Sequence, residues 1–111
     1  MKTDISMTRG DTQFFTIKIV NEKREKIPFN MGDTVYFTIK TATDTNRKTI
    51  QKVITDFNLD GEAEVEILPE DTRLLQFKDY VYDVQYTKSD GQVITIIKPS
   101  KFIILPEVTY E

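Results

Sequence analysis

Glu62-Ala63-Glu64-Val65-Glu66-Ile67 alternates without a break between a carboxylate and an apolar side chain. Successive side chains on a β-strand point to opposite faces, so this stretch can bury Ala63, Val65 and Ile67 while Glu62, Glu64 and Glu66 stay in water. The same period recurs in both directions. Upstream, Phe15, Ile17 and Ile19 alternate with Thr16, Lys18 and Val20, and Val35, Phe37 and Ile39 alternate with Tyr36, Thr38 and Lys40. Downstream, Tyr80, Tyr82, Val84 and Tyr86 alternate with Val81, Asp83 and Gln85. β-branched and aromatic side chains suit a pleated, half-buried surface, so each segment reads as a strand.

Turn-forming residues separate these runs. Asn21 to Lys26 and Asn30-Met31-Gly32-Asp33 are polar connectors, and Asn58-Leu59-Asp60-Gly61 leads into the glutamate strand. Lys88-Ser89-Asp90-Gly91 lies between two strong strands, with Gly91 able to take the positive φ such hairpins need. Leu68-Pro69-Glu70-Asp71-Thr72-Arg73-Leu74-Leu75 is too irregular for a strand. Its proline followed by acidic residues predicts a single helical turn crossing between two sheets. Two apolar runs, Val93 to Ile97 and Phe102 to Leu105, flank Lys98-Pro99-Ser100, where a kink or register change is expected because proline cannot donate to a ladder. Such runs must be sandwiched between layers or covered by a partner.

Composition bounds the rest. With 111 residues, the chain has room for one core and reads as a single domain over residues 1–111. Hydrophobic residues at 39% are too many for a disordered chain. There is no apolar run of membrane-spanning length, and Met1-Lys2-Thr3-Asp4 leads into no apolar stretch of the kind a secretory signal has. Cysteine and histidine are both absent, which removes the usual zinc ligands, the thiolate nucleophile and the commonest general base. No catalytic, cofactor-binding or metal-binding residue is therefore assigned, and the chain is expected not to be an enzyme. A formal charge of -3, with the densest basic stretch, Lys23-Arg24-Glu25-Lys26, flanked by glutamates, argues against nucleic acid as a partner. That stretch reads as a solvated hairpin tip.

Three patterns have a chemical reading beside a structural one. Asp56-Phe57-Asn58-Leu59-Asp60-Gly61 matches the first half of an EF-hand loop, with Asp56, Asn58 and Asp60 as the ligands. The twelfth position, however, is Ile67 where a bidentate glutamate belongs, so a hairpin tip is the better account. Glu62, Glu64 and Glu66 share the outer face of one strand and offer no pair of carboxyls across a cleft. Tyr80, Tyr82 and Tyr86, with Tyr36 and Phe37, could stack on a carbohydrate. Alternatively, Tyr80 or Tyr82 serves as the corner tyrosine of an immunoglobulin-like sandwich, bonding back across the turn before the penultimate strand. The expected fold is all-β, an immunoglobulin-like two-layer antiparallel sandwich of about seven strands with one short helical turn.

The whole chain also resembles the immunoglobulin-like N-terminal domain of upper baseplate proteins and related tail modules in phages of Gram-positive hosts. The residues that carry this resemblance begin with Arg9-Gly10-Asp11-Thr12, followed by Phe15, Ile17 and Ile19. Gly32 to Lys40, Asp60-Gly61 with Ala63, and Glu70-Asp71-Thr72 come next. Tyr80 to Gln85, Asp90-Gly91 leading into Thr95, and Phe102, Ile104 and Glu107-Val108-Thr109 complete it. The resemblance implies a non-catalytic virion structural module of a phage or prophage tail or baseplate, made in the host cytoplasm. It would form a homo-oligomer in the particle and bind other tail or baseplate proteins, with no cofactor and no membrane. Family members carry long C-terminal helical and receptor-facing regions whereas this sequence ends at Glu111. It is therefore either a stand-alone module or a part of something longer, and the resemblance does not carry over a role in holding a receptor-binding tip. The alternative is a surface-exposed carbohydrate- or receptor-binding sandwich module using the tyrosines.

Overall fold

The computed structural model describes residues 4–42 and 48–106. Nine strands and one helical turn follow in order among them: β1 (Ile5–Thr8), β2 (Gln13–Ile17), β3 (Ile19–Val20), β4 (Lys26–Ile27), β5 (Thr34–Lys40), β6 (Ile50–Ile54), β7 (Ala63–Ile67), α1 (Pro69–Thr72), β8 (Asp79–Thr87) and β9 (Val93–Leu105). The fold is all-β and sandwich-like. A five-stranded sheet in the order β1-β9-β8-β5-β6 faces the β2-β7 pair, and β3 and β4 form a separate hairpin. The order β9-β8-β5 with β6 beside it, opposite β2 and β7, follows the immunoglobulin arrangement of strands G, F, C and C′ over B and E.

The alternating pattern places its apolar residues as expected. Along β7, Ala63, Val65 and Ile67 are buried while Glu64 and Glu66 are exposed. Phe37, Ile39 and Val84 meet them from the larger sheet in one core. Antibody domains pack a tryptophan of strand C against a disulfide between strands B and F. This chain has neither tryptophan nor cysteine, and aromatic rings fill that space. Phe37 on β5 stacks on Phe15 of β2 at 6.1 Å, lies 5.3 Å from Tyr82 on β8 and meets Phe102 of β9 edge-on.

Two features depart from the sequence expectation. The sandwich is not wholly antiparallel, because β1 pairs in parallel with the end of β9, Ile5 opposite Phe102 and Thr8 opposite Leu105. After Thr8 the chain turns at Arg9-Gly10 and enters the other sheet as β2, so the N-terminal segment contributes an edge to both layers. The run Phe15 to Val20 is not one strand: β2 ends at Ile17, and Ile19–Val20 leaves to pair with β4. The two C-terminal runs, by contrast, form one strand. The expected irregularity at Lys98-Pro99-Ser100 is a register shift inside β9, where Tyr82 lies opposite Ser100 but Val84 lies opposite Ile97.

The crossing turn is where it was expected. α1 links β7 of one sheet to β8 of the other, with Pro69 at its start. Asp71 fixes it, its carboxylate accepting the Leu68 N–H at 2.7 Å and pairing with Lys52 of β6 at 2.8 Å. Buried Thr72 accepts the Gly10 N–H at 2.8 Å, which ties the β1–β2 turn to the same crossing.

Candidate functional site

Several loops at one end of the sandwich are organised around a buried carboxylate. Asp33 closes the Asn30–Asp33 turn by accepting the Asn30 N–H at 2.8 Å. The same side chain accepts the Tyr86 hydroxyl at 2.8 Å and the Ser89 N–H at 3.0 Å. Burial works to raise the Asp33 pKa, but the donors from Asn30, Tyr86 and Ser89, with Lys88 nearby, outweigh it and hold the group below its ordinary value. Burial pushes the Tyr86 hydroxyl up to about 12, reinforced by the Asp33 carboxylate that accepts its hydrogen bond. The arrangement joins the turn before β5 to the β8–β9 hairpin, and all its donors come from within the chain. It fixes loop geometry.

The neighbouring loops repeat one construction. Asn21, Asn58 and Lys88 each donate a backbone N–H to the carbonyl four residues on, while their own carbonyls accept from Arg24, Gly61 and Gly91 respectively. All three of those residues have positive φ. Asn21 and Asn58 add a side-chain cap, each Oδ1 accepting two backbone N–H groups, those of Lys23 and Glu25 and those of Asp60 and Glu62. The calcium-like letters are thus a tight, side-chain-capped turn on the crossing from β6 of one sheet to β7 of the other. They are not the hairpin tip the sequence suggested, because those two strands do not pair. The Oδ1 of Asn58, the central ligand of the EF-hand reading, is occupied by the backbone. Among the described residues no group of three or more His, Cys, Asp or Glu is arranged to hold a metal ion.

The tyrosines belong to the core. Tyr80, Tyr82 and Tyr86 are all buried, as is Phe37. Tyr80 is the corner residue, its hydroxyl donating to the Gln76 carbonyl at 3.3 Å and accepting the Gln76 N–H at 3.2 Å. Tyr82, two residues on, stands where immunoglobulin strand F carries its cysteine. Tyr36 lies on the outer face and is half-buried, so these residues do not form a stacking platform. The outer face of the larger sheet does hold a hollow of about 60 Å³ among Thr38, Lys40, Val81, Tyr82, Asp83 and Pro99. That is room for a few waters, well below the volume of a ligand pocket. Burial raises the Asp83 pKa there, and Lys40 partly offsets it.

The remaining features are surfaces. At the α1 end, Leu74 is 92% exposed and Phe77 is half-exposed beneath the Arg9 guanidinium, which lies 4.1 Å from its ring. At the opposite end Met31 and Leu59 project from the loop tips. Along the start of β9, Val93 and Ile94 are exposed while Phe102 and Ile104 farther along the same strand are buried. Sequence reasoning found the two apolar runs of β9 but not which of them would be covered. That depends on where β1 lies, which local pattern does not encode. No helix among the described residues is long and apolar enough to cross a membrane.

No protein-family model matches the chain, and no curated protein matches it.

Proposed function

We propose that the chain is a non-catalytic structural module of a phage or prophage tail or baseplate that works by docking onto other proteins of the particle. The observation that carries this is the exposure of large apolar side chains on a well-packed sandwich. Leu74 and Phe77 at one end, Met31 and Leu59 at the other, and Val93 on β9 project from a well-packed core, and Ile94, on the inner face opposite Tyr86, is still 38% exposed. Exposed apolar side chains that lie next to one another mark protein contact surfaces, as Val93 and Ile94 do at the open start of β9, whereas lone ones are common on any folded domain. The resemblance to baseplate domains adds support, because its residues fall on the turning points of this fold. Arg9-Gly10-Asp11 turns β1 into β2, Gly32-Asp33 precedes β5, Asp60-Gly61 precedes β7, and Asp90-Gly91 closes the β8–β9 hairpin. Glu107-Val108-Thr109, the last residues of that resemblance, lie outside the described residues.

Gradient purification of particles induced from the encoding strain, with mass spectrometry of each fraction, tests the proposal. The chain is expected to co-migrate with intact particles and to remain with the tail fraction after heads and tails are separated. A chain found only in the soluble or cell-surface fractions contradicts it.

A further inference from the structure

The start of β9 presents an unusual edge. β1 pairs only with Phe102–Leu105, so Val93 to Ile97 has no strand beside it on that side among the described residues. Val93 is 59% exposed and Ile94 38%, and no charged residue lies between Asp90 and Lys98. Proteins usually blunt such an edge with lysine or proline, and here Lys98-Pro99 guards only one end. The direction of the edge's polar groups follows from the hairpin. Lys88 donates its N–H to the Gln92 carbonyl, and the next pairs are Thr87 with Val93, Tyr86 with Ile94 and Gln85 with Thr95. In an antiparallel ladder, hydrogen-bonded and non-bonded pairs alternate. Ile94 therefore bonds toward β8, while Val93 and Thr95 direct their N–H and C=O groups away from it.

We propose that this edge pairs antiparallel with the same edge of a second copy, about a twofold axis at Ile94, so that one sheet continues across two molecules. Val93 of each copy then faces Thr95 of the other, giving four backbone hydrogen bonds, and Ile94 packs on its counterpart. Charge favours a second copy as the partner. With Ile94 on the axis, the Asp90 hairpin tip of each copy lies beside the Lys98 end of the other's strand, where β9 is irregular between Thr95 and Ile97. The outward-facing Val93 and Thr95 groups set the register. So short a contact makes a weak dimer. The inference rests on the assembly reading above and deepens it by naming one partner, yet a solution dimer can form or fail whether or not the chain is found in a particle.

Sedimentation velocity on the full chain from micromolar to near-millimolar concentration tests this. A concentration-dependent monomer–dimer equilibrium is expected. Thr95→Pro removes an outward N–H from each copy without touching the β8 ladder, and weakens the dimer by about tenfold or more. Lys98→Glu, on an exposed side chain, brings like charges together and weakens it several-fold at low salt, which decides the matter should Thr95→Pro not fold. A chain that stays monomeric throughout overturns the proposal. So does a dimer unchanged in the folded variants, and so does an edge that fills only when a different protein is added.

Discussion

Asp33 and Tyr86 are 53 positions apart and meet at 2.8 Å in the interior. Two consequences can be measured. Asp33→Ala leaves the buried Tyr86 hydroxyl and two backbone donors short of a partner, and is expected to cost about 2–4 kcal/mol in denaturant unfolding. Tyr86→Phe keeps the edge-on contact with Phe29 and loses only the hydroxyl, so about 1–2 kcal/mol is expected. The pH dependence follows from the same contact. The folded Asp33 pKa lies below its ordinary 3.8, so its stabilisation is complete above that value and is lost as pH falls through the depressed one. Asp33→Asn should flatten the acid limb of the stability curve, and an unchanged limb would show that Asp33 does not contribute to it. Tyr86 has the opposite sign. Its pKa rises from 10.0 to about 12, so its stabilisation is complete below pH 10 and fades as pH climbs toward 12. Burial also raises the Tyr82 hydroxyl. A phenolate absorbance titration should therefore show more than one late tyrosine, and Tyr86→Phe should remove one late component and leave that of Tyr82. Nothing in the sequence pairs Asp33 with Tyr86. Asp33 read correctly as a turn residue and Tyr86 as an inward one, but their meeting depends on β5 and β8 lying side by side.

Turns were the most legible elements, because their chemistry is local. Asn58 and Gly61 identify the tight turn before β7, though not that it crosses between sheets, and the bonds of Asn58 to Asp60 and Glu62 explain why the calcium-like letters occur there. Added millimolar calcium is accordingly expected to leave the melting temperature unchanged, whereas Asn58→Ala should lower stability by about 1 kcal/mol. A rise in melting temperature with calcium would contradict this. Two glycines with similar backbone angles should behave differently. Gly61, at φ +73°, sits against Pro28, and an added Cβ would overlap that residue's own Cβ. Gly91, at φ +93°, faces open space. Gly91→Ala is expected to cost about 1 kcal/mol for its backbone alone, and Gly61→Ala roughly twice that or more. Equal losses in thermal unfolding would mean the Pro28 contact is unimportant. The elements hardest to anticipate were β1 and β9, because parallel pairing and a bulged 13-residue strand depend on distant partners.

At the scale of the whole molecule, alternation in β5, β7 and β8 was sufficient to predict two layers. It left the immunoglobulin-like corner to Tyr80 or Tyr82, between which the hydroxyl bonds to Gln76 decide for Tyr80. What alternation could not supply was the substitute for a disulfide. The Phe15, Phe37, Tyr82 and Phe102 cluster is visible only once both sheets are in place. Phe37 is at its centre and fully buried, so Phe37→Ala should cost about 3–5 kcal/mol, read from urea unfolding. Function was less legible still, because sandwiches of this kind host many roles and the distinctive features here are exposed apolar surfaces. The central claim is that those surfaces dock the chain into a phage tail. Immunogold labelling of particles induced from the encoding strain, with antibody against this chain, tests it most directly. Gold at the tail tip or baseplate is the predicted result. Unlabelled particles, with the protein on cells or free in the medium, would contradict it.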